Sequence, residues 1–259
     1  MLPRLAWLRR TSLNLLFPQW CLGCSKGGEL ICPACRRRSP RITPPVCRRC
    51  GLPQPSSLPC AACSSRQHEI DGIRSPFLFE AVIRQAIHQL KYRNLRAIGR
   101  PLAELLSDYI TASPMPAEVL VPVPLHRRRL RQRGYNQSGL LCRELGKLVG
   151  LPVVTGCLVR QRHTPPQAET ATASRRRANV AAAFICRNGR LQDQKVLLID
   201  DVATSGATLD ACAAAVKASG AGSVWGLTLA REVQDKGAKN GATADQQRGK
   251  SINRPAPPY

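Results

Sequence analysis

The sequence predicts an α/β domain built on a parallel sheet and preceded by a small metal-stabilised module. Three observations support this prediction. Eight of the twelve cysteines fall within residues 21–63, and each of them belongs to a C-x2-C pair. Strand-like and helix-like segments alternate between residues 76 and 231, which is the order that builds parallel sheets. The segment Lys195–Asp200 is a continuous apolar run, as expected of a strand covered on both faces.

The cysteine pairs predict zinc sites, because two such pairs supply the four thiolates of a tetrahedral ion. Disulfides are disfavoured, since the expected compartment is reducing. The short spacing between successive pairs favours two sequential sites. An interleaved arrangement, in which the first and third pairs share one ion, remains the alternative. The expected ligands are Cys21, Cys24, Cys32 and Cys35 in one site and Cys47, Cys50, Cys60 and Cys63 in the other.

Composition divides the chain into four segments. Residues 1–20 form a lead-in, and residues 21–66 form the cysteine module, which contains too little apolar surface to fold without metal. A linker is expected near residues 64–75, at the start of the α/β domain at 67–231. Residues 232–259 are polar and are expected to form a disordered tail.

Local patterns place the elements of the α/β domain in chain order. Apolar residues recur at spacings of three and four in the expected helices, and β-branched runs mark the expected strands. The expected strands are Phe77–Glu80, Val119–Val123, Pro152–Val159, Lys195–Asp200 and Ser223–Ala230. The expected helices are Ala81–Tyr92, Leu95–Ile110, Gly134–Val149 and Ser205–Ser219.

The formal net charge is +23, from 39 Lys and Arg against 16 Asp and Glu. Such an excess favours a polyanionic partner. No apolar run reaches the roughly 18 residues that cross a bilayer. The N-terminal apolar stretch is interrupted by Asn14 and ends at Pro18, so no secretory signal is indicated and a cytoplasmic location is expected.

The stretch from Val196 to Thr208 carries the clearest chemical signal. An apolar strand ends in Asp200 and Asp201, and a turn of small and hydroxylated residues then opens a helix. Free backbone N–H groups at a helix N-terminus bind phosphate. Carboxylates at the carboxyl end of a parallel strand suit ribose hydroxyls, directly or through Mg²⁺. The alternative is a strand–turn–helix connection with an ordinary acidic cap.

This stretch resembles the 5-phosphoribosyl 1-pyrophosphate (PRPP) motif of type I phosphoribosyltransferases. The resemblance implies that Asp200 and Asp201 are catalytic residues that hold the ribose. It further implies that phosphate is bound by Ala203, Thr204, Ser205, Gly206, Ala207 and Thr208. A pyrophosphate loop is implied at Val123, Pro124, Arg127 and Arg133, and a flexible loop that closes over the ligand is implied at Arg162, Gln167 and Arg176.

Over residues 13–231 the chain resembles the ComF family, in which a double zinc ribbon precedes a type I phosphoribosyltransferase-like domain. The resemblance implies two structural zinc ions, Mg²⁺ bound with PRPP, and a role in DNA uptake during natural transformation. It implies single-stranded DNA and proteins of the DNA-uptake machinery as partners. The supporting motifs are Leu-Leu-Phe-Pro before Cys21, Leu90-Lys91-Tyr92, Val121-Pro122-Val123-Pro124, Arg133-Gly134-Tyr135-Asn136-Gln137, Arg176-x-x-Asn179-Val180 and Asp200-Asp201-Val202.

Three functional hypotheses follow from these patterns. In the first, the protein is a phosphoribosyltransferase with an unknown acceptor. In the second, the fold serves as a PRPP or nucleotide sensor in a protein that binds single-stranded DNA. In the third, the protein is a non-catalytic zinc-ribbon adaptor for partner proteins. Release of pyrophosphate separates the first from the second, and salt-dependent DNA affinity separates the second from the third.

Overall fold

The computed structural model describes residues 19–161, 183–187 and 189–233. The strands are β1 (Gly72–Arg74), β2 (Phe77–Leu78), β3 (Val119–Pro122), β4 (Leu158–Arg160), β5 (Phe184–Cys186), β6 (Lys195–Ala203) and β7 (Ser223–Arg231). The helices are α1 (Pro33–Arg38), α2 (Ala61–Ser64), α3 (Ala81–Tyr92), α4 (Gly99–Ala112), α5 (Arg127–Arg133), α6 (Gln137–Val149) and α7 (Ala207–Lys217). Among these residues, no helix has the length and apolarity needed to span a bilayer.

A parallel sheet forms the centre of the α/β domain, with strand order β1-β7-β6-β3. The short strand β2 also pairs with β7, beyond β1 along the same strand. All pairings within this sheet are parallel, which confirms the predicted fold class. Strands β4 and β5 form a separate antiparallel pair.

Helices cover both faces of the sheet, as the continuous apolar run in β6 predicted. Leu197 and Ile199 face a core formed with α3, α4 and α6. Val196 and Leu198 face the opposite core, which includes the apolar side of α7 and residues of β4 and β5. The carboxyl end of β6 is therefore held between two packed layers.

The cysteine module docks on the sheet domain rather than standing apart from it. Leu30 and Ile31 join the core that contains α3 and α4. The backbone N–H of Ile42 donates to the carbonyl of Pro76 at 3.0 Å, and the N–H of Ile73 donates to the carbonyl of Arg49 at 2.6 Å. The module and the domain therefore share a core and backbone hydrogen bonds.

The expectation of a linker near residues 64–75 is wrong over its second half. Residues 72–74 form β1, a strand of the main sheet. Asp210 on α7 accepts hydrogen bonds from the N–H groups of Glu69 and Ile70, at 2.9 and 3.0 Å. No local pattern marked β1 as a strand, because its three residues are too few to show an alternation of apolar and polar side chains.

Candidate functional site

Each group of four cysteines brings its sulfur atoms together, within 4.8 Å of one another. The groups are Cys21, Cys24, Cys32 and Cys35, and Cys47, Cys50, Cys60 and Cys63, so the sequential pairing is confirmed and the interleaved alternative is excluded. The Sγ atoms of Cys24 and Cys32 are 3.6 Å apart, and those of Cys50 and Cys60 are 3.8 Å apart. Tetrahedral Zn–S bonds of about 2.3 Å place sulfurs roughly 3.8 Å apart, so both groups fit zinc.

The surroundings of the sulfurs favour one thiolate in each group, at Cys21 and at Cys47. The N–H of Cys32 donates to Cys21 Sγ at 3.4 Å, and the N–H of Cys60 donates to Cys47 Sγ at 3.3 Å. Burial opposes ionisation of Cys21, but backbone donors outweigh it and lower the pKa of Cys21 to about 6. Burial and the nearby Cys47 thiol raise the pKa of Cys50 to about 11. A bound Zn²⁺ would allow all four cysteines of a group to ionise, because its charge offsets the repulsion between the thiolates. Binding of the ion would then stabilise the fold of the module.

The acidic pair lies at the carboxyl end of β6, where the two side chains have different environments. Asp200 is partly exposed, and its Oδ1 accepts hydrogen bonds from Ser138 Oγ at 2.6 Å and from the N–H of Asp201 at 2.9 Å. Asp201 is 3% exposed, and its Oδ1 lies 2.9 Å from Lys91 Nζ. The remaining Asp201 oxygen, Oδ2, is buried without a hydrogen-bond partner among the described residues. Asp200 is therefore the carboxylate open to a ligand, and Asp201 is anchored by Lys91.

The motif Gly134-Tyr135-Asn136 positions the residues that contact the acids. The hydroxyl of Tyr135 donates to the carbonyl of Leu90, immediately before Lys91 on α3. The side-chain amide of Asn136 donates to the carbonyl of Val123 at 2.9 Å, and its Oδ1 accepts from the N–H of Ser138 at 3.2 Å. Helix α6 is thereby tied to the end of β3, which places Ser138 against Asp200.

The phosphate-loop residues form an open turn between β6 and α7. Thr204 and Ser205 are exposed, and Ser205 Oγ accepts a hydrogen bond from the N–H of Ala207 at 3.4 Å. Gly206 is the N-cap residue of α7 with φ of +79°, so the N-cap position itself offers no side chain to the helix N-terminus. A Cβ atom at Gly206 would lie 2.8 Å from Ile73 Cδ1, so a larger residue does not fit without displacement. An uncapped helix start beside exposed hydroxyl groups suits a phosphate group.

The residues assigned to the pyrophosphate loop are only partly in a loop. Val123 is buried and Pro124 follows it, but Arg127 and Arg133 lie at the two ends of helix α5. The sequence did not predict this helix because none of its residues is buried, so it lacks an apolar face. Arg127 is exposed, whereas Arg133 donates to Gln137 Oε1 and its guanidinium lies 5.7 Å from the Tyr92 ring centroid.

The flexible-loop residues Arg162, Gln167 and Arg176 lie outside the described residues. The strand that leads into this segment, β4, carries Arg160. Its guanidinium lies 5.4 Å from the Phe184 ring centroid, and burial lowers the pKa of Arg160 while Asp200 opposes that effect. The start of this segment therefore brings positive charge toward the acidic pair.

A cavity of about 230 Å³ lies beside the carboxyl end of β3. It is lined mainly by apolar groups, including Pro122, Leu130 and Leu158, together with Gly139 and Arg143 on α6. Gly139 directly follows Ser138, so the first turn of α6 separates this cavity from Asp200.

Comparisons with known proteins give a consistent assignment. The family described as "Double zinc ribbon domain" matches residues 12–64. The "DNA utilization protein YhgH" of Salmonella typhi is 32% identical over 236 residues, which cover 88% of this chain and 97% of that protein. The "Competence protein ComFC" of Bacillus subtilis is 28% identical over 219 residues, covering 80% of this chain and 86% of that protein. The chain belongs to the ComF family.

Solved structures similar to this ComF family member include the purine phosphoribosyltransferase from Pyrococcus horikoshii. That similarity has a TM-score of 0.33 and 17% identity, and it covers 51% of this chain and 71% of that chain.

Three residues of this ComF family member were not assigned to the site from sequence. Lys91 was noted within the motif Leu90-Lys91-Tyr92, but nothing local indicated that its partner is Asp201. Ser138 follows the Asn136-Gln137 pair and looks like an ordinary residue of a helix N-terminus. Arg231 ends β7 and is 2% exposed, although a strand-terminal arginine is usually expected in solvent.

Asp200→Asn is expected to stabilise the protein at alkaline pH. Burial and the neighbouring Asp201 raise the pKa of Asp200 to about 7, far above its value in an unfolded chain. The folded state then holds a proton that the unfolded state has released, so the free energy of unfolding falls as pH rises from about 4 to about 7. Asparagine keeps the size of the side chain and its acceptor for Ser138 but cannot ionise.

Urea denaturation of the zinc-loaded protein at two pH values measures this effect. The variant should exceed the wild type in free energy of unfolding by about 1–2 kcal/mol at pH 8, with a smaller difference at pH 4. Equal differences at the two pH values would show that ionisation of Asp200 does not oppose folding.

Proposed function

We propose that this protein binds PRPP or a related 5-phosphoribosyl ligand at the carboxyl edge of its sheet and binds single-stranded DNA during DNA uptake. The observation that carries the ligand proposal is the pairing of a partly exposed Asp200 with an open, uncapped turn at residues 203–208. An acidic cap alone would not account for the second acid, which is buried and held by Lys91. It also would not account for the exposed hydroxyl groups of Thr204 and Ser205.

Each part of the site has a separate task in this proposal. The turn at residues 203–208 receives the 5-phosphate through backbone N–H and hydroxyl donors. Asp200 accepts hydrogen bonds from ribose hydroxyls, while Lys91 holds Asp201 in place behind it. The acid pair fits Mg²⁺, because Asp201 Oδ2 has no hydrogen-bond partner in the part of the chain that the structure describes, and carboxylates suit this ion. Bound Mg²⁺ would offset the charge of the diphosphate.

The same arrangement supports a transfer reaction. An acceptor would attack the anomeric carbon of PRPP as its bond to the diphosphate oxygen breaks. Arg127, Arg133 and the arginines of the flexible loop would stabilise the charge that grows on the leaving pyrophosphate. The cavity beside β3 is our candidate for the acceptor site, because only the first turn of α6 separates it from Asp200. If no acceptor is used, the same residues would bind PRPP without transferring its ribosyl group, and the protein would act as a PRPP sensor.

The DNA part of the proposal rests on charge and on relatives. The names of the matched proteins refer to DNA utilization and to competence. The formal net charge of this chain is +23, and Arg37, Arg38, Arg127 and Arg128 are exposed. We place the protein in the cytoplasm, where it would meet incoming single strands and proteins of the uptake machinery.

Adding Mg-PRPP to the purified, zinc-loaded protein tests the ligand proposal. Calorimetry measures binding, and an enzyme-coupled assay measures pyrophosphate release with and without candidate nucleobases. Binding with release supports the transferase, and binding without release supports the sensor. If neither occurs, the ligand proposal fails and the zinc-ribbon adaptor becomes the better hypothesis.

A further inference from the structure

Tyr92 is an aromatic residue that the fold leaves on the surface. It is the last residue of α3 and is 66% exposed, whereas Ile83, Ile87 and Leu90 of the same helix are fully buried. A single exposed apolar residue is ordinary in itself. The groups around the ring therefore decide what it can bind.

The neighbours of the Tyr92 ring are a second ring and a guanidinium. His88 is exposed and lies one turn earlier on α3, with its ring centroid 5.0 Å from that of Tyr92 and the two planes inclined at 48°. The guanidinium of Arg133 lies 5.7 Å from the Tyr92 ring centroid. These contacts support the ring, and the high exposure of Tyr92 shows that they leave much of it open to solvent.

Basic groups continue from the ring across the adjacent surface. Arg93 directly follows Tyr92 and is exposed. Arg96 is also exposed, and its Nη2 lies 3.6 Å from the position that a Cβ on Gly134 would take. Because Gly134 directly follows Arg133, Arg96 and Arg133 border the same turn. Five residues therefore form one patch, the Tyr92 surface: His88, Tyr92, Arg93, Arg96 and Arg133.

The positive charge of the Tyr92 surface is not neutralised by the protein. Among the residues that the structure describes, no carboxylate lies within ion-pair distance of Arg93, Arg96 or Arg133. An open aromatic ring beside arginines without acidic partners suits a ligand that carries both a π face and negative charge.

The Tyr92 surface is also held in place before any ligand arrives. The carbonyl of Leu90 accepts a hydrogen bond from the hydroxyl of Tyr135, and Lys91 Nζ lies 2.9 Å from Asp201 Oδ1. The last turn of α3 is thereby fixed to the start of α6 and to the end of β6. A ligand then binds without first ordering this helix end, which lowers the cost of binding.

We propose that the Tyr92 surface binds single-stranded DNA, with one nucleobase stacked on the Tyr92 ring and phosphates of the same strand at Arg93 and Arg96. A single strand offers exposed base faces, whereas in a duplex neighbouring bases cover them. One stacked base adds affinity without sequence preference, because every base has a π face. The inference rests on the proposed binding of single-stranded DNA and names the surface that holds a base.

Tyr92→Ala in the full-length, zinc-loaded protein tests the stack, because the residue is exposed and alanine continues the helix. Fluorescence anisotropy compares a labelled dT oligonucleotide with an abasic oligonucleotide of equal length. The wild type should bind the dT strand about tenfold more tightly, and Tyr92→Ala should lose this preference. Its salt dependence should stay unchanged, because no phosphate contact is removed. Tyr92→Phe should keep the preference, because it keeps the ring.

Trp20→Ala is the matched control. Trp20 is likewise an exposed aromatic residue, at 59%, and it lies immediately before the cysteine module. This variant should keep the wild-type preference for the dT strand. An equal loss in Trp20→Ala and Tyr92→Ala would overturn the assignment of the stack to the Tyr92 surface. Equal affinities of the wild type and Tyr92→Ala for the dT strand would also overturn it and would favour a protein partner for this surface.

Arg93→Gln with Arg96→Gln tests the phosphate contacts separately. The slope of log affinity against log salt should become shallower by about 1.4, the value for two phosphates of a single strand, while the preference for dT persists. An unchanged slope would overturn the phosphate contacts. If the wild type binds both strands equally, only this inference fails. If it binds neither strand at low salt, the proposed DNA binding fails as well.

Discussion

Replacing Asp200 by alanine is expected to weaken Mg-PRPP binding by about 100-fold or more, the scale of one or two lost hydrogen bonds to a charged group. Asp200 is the partly exposed acid of the pair, and its environment opposes its ionisation. At pH 7.5 to 8, above its pKa of about 7, the Asp200 carboxylate is mainly ionised and can accept hydrogen bonds from the ribose hydroxyls. Isothermal titration calorimetry at pH 7.5 to 8 measures the change, and thermal melting verifies that the variant is folded.

Asp71→Ala provides the matched control for this measurement. Asp71 accepts hydrogen bonds of 2.7 Å from Lys217 Nζ and from the N–H of Val224, near the amino end of β7. Its removal should lower stability without changing ligand affinity. Asp201 is less suitable as a target, because its loss would leave Lys91 without its carboxylate. Equal affinities of wild type and Asp200→Ala would refute the assignment of the ribose site.

Affinity for single-stranded DNA is expected to fall about 300-fold between roughly 50 and 200 mM salt, if about six phosphates are contacted. Two zinc–tetrathiolate sites lower the formal net charge only from +23 to about +19, so the chain stays strongly basic. Few aromatic residues are available for stacking, so sequence preference should be weak. Fluorescence anisotropy with labelled oligonucleotides of different sequence measures both effects.

Charge reversal locates the DNA-binding surface. Arg37→Glu with Arg38→Glu changes two exposed arginines of α1 and avoids Arg36, which is paired with Glu104. This variant should bind DNA more weakly and with a shallower salt dependence. Arg187→Glu with Arg190→Glu makes the same change in net charge at exposed arginines elsewhere. Similar losses in both variants would indicate a non-specific effect of net charge, and absence of DNA binding at low salt would favour the adaptor hypothesis.

Local sequence patterns were sufficient for the long helices, for the central strands β3, β6 and β7, and for the metal ligands. The helix at Ala81–Tyr92 was predicted with its observed bounds, because its apolar residues recur at helical spacing throughout. The zinc ligands were predictable because each site is built from residues close together in sequence. The start of α7 was placed two residues too early, since Ser205 belongs to the turn and Gly206 is the cap.

The contacts within the site were not predictable, because they join residues from distant parts of the chain. Lys91 reaches Asp201 from α3, and Ser138 reaches Asp200 from α6. No pattern of charge or hydropathy near either residue specifies those pairs. The exposed helix α5 was missed for a different reason, since a helix that buries nothing leaves no periodic apolar signal.

The pairing of β1 with β7 determines when, during synthesis of the chain, the sheet can form. Gly72 pairs with Trp225, so β1 cannot pair within the sheet until the ribosome has synthesised β7. Such non-local pairing is slow to form, whereas each cysteine site closes within a short stretch of chain. We therefore expect the nascent chain to acquire zinc early and to complete its sheet only after β7 has been synthesised.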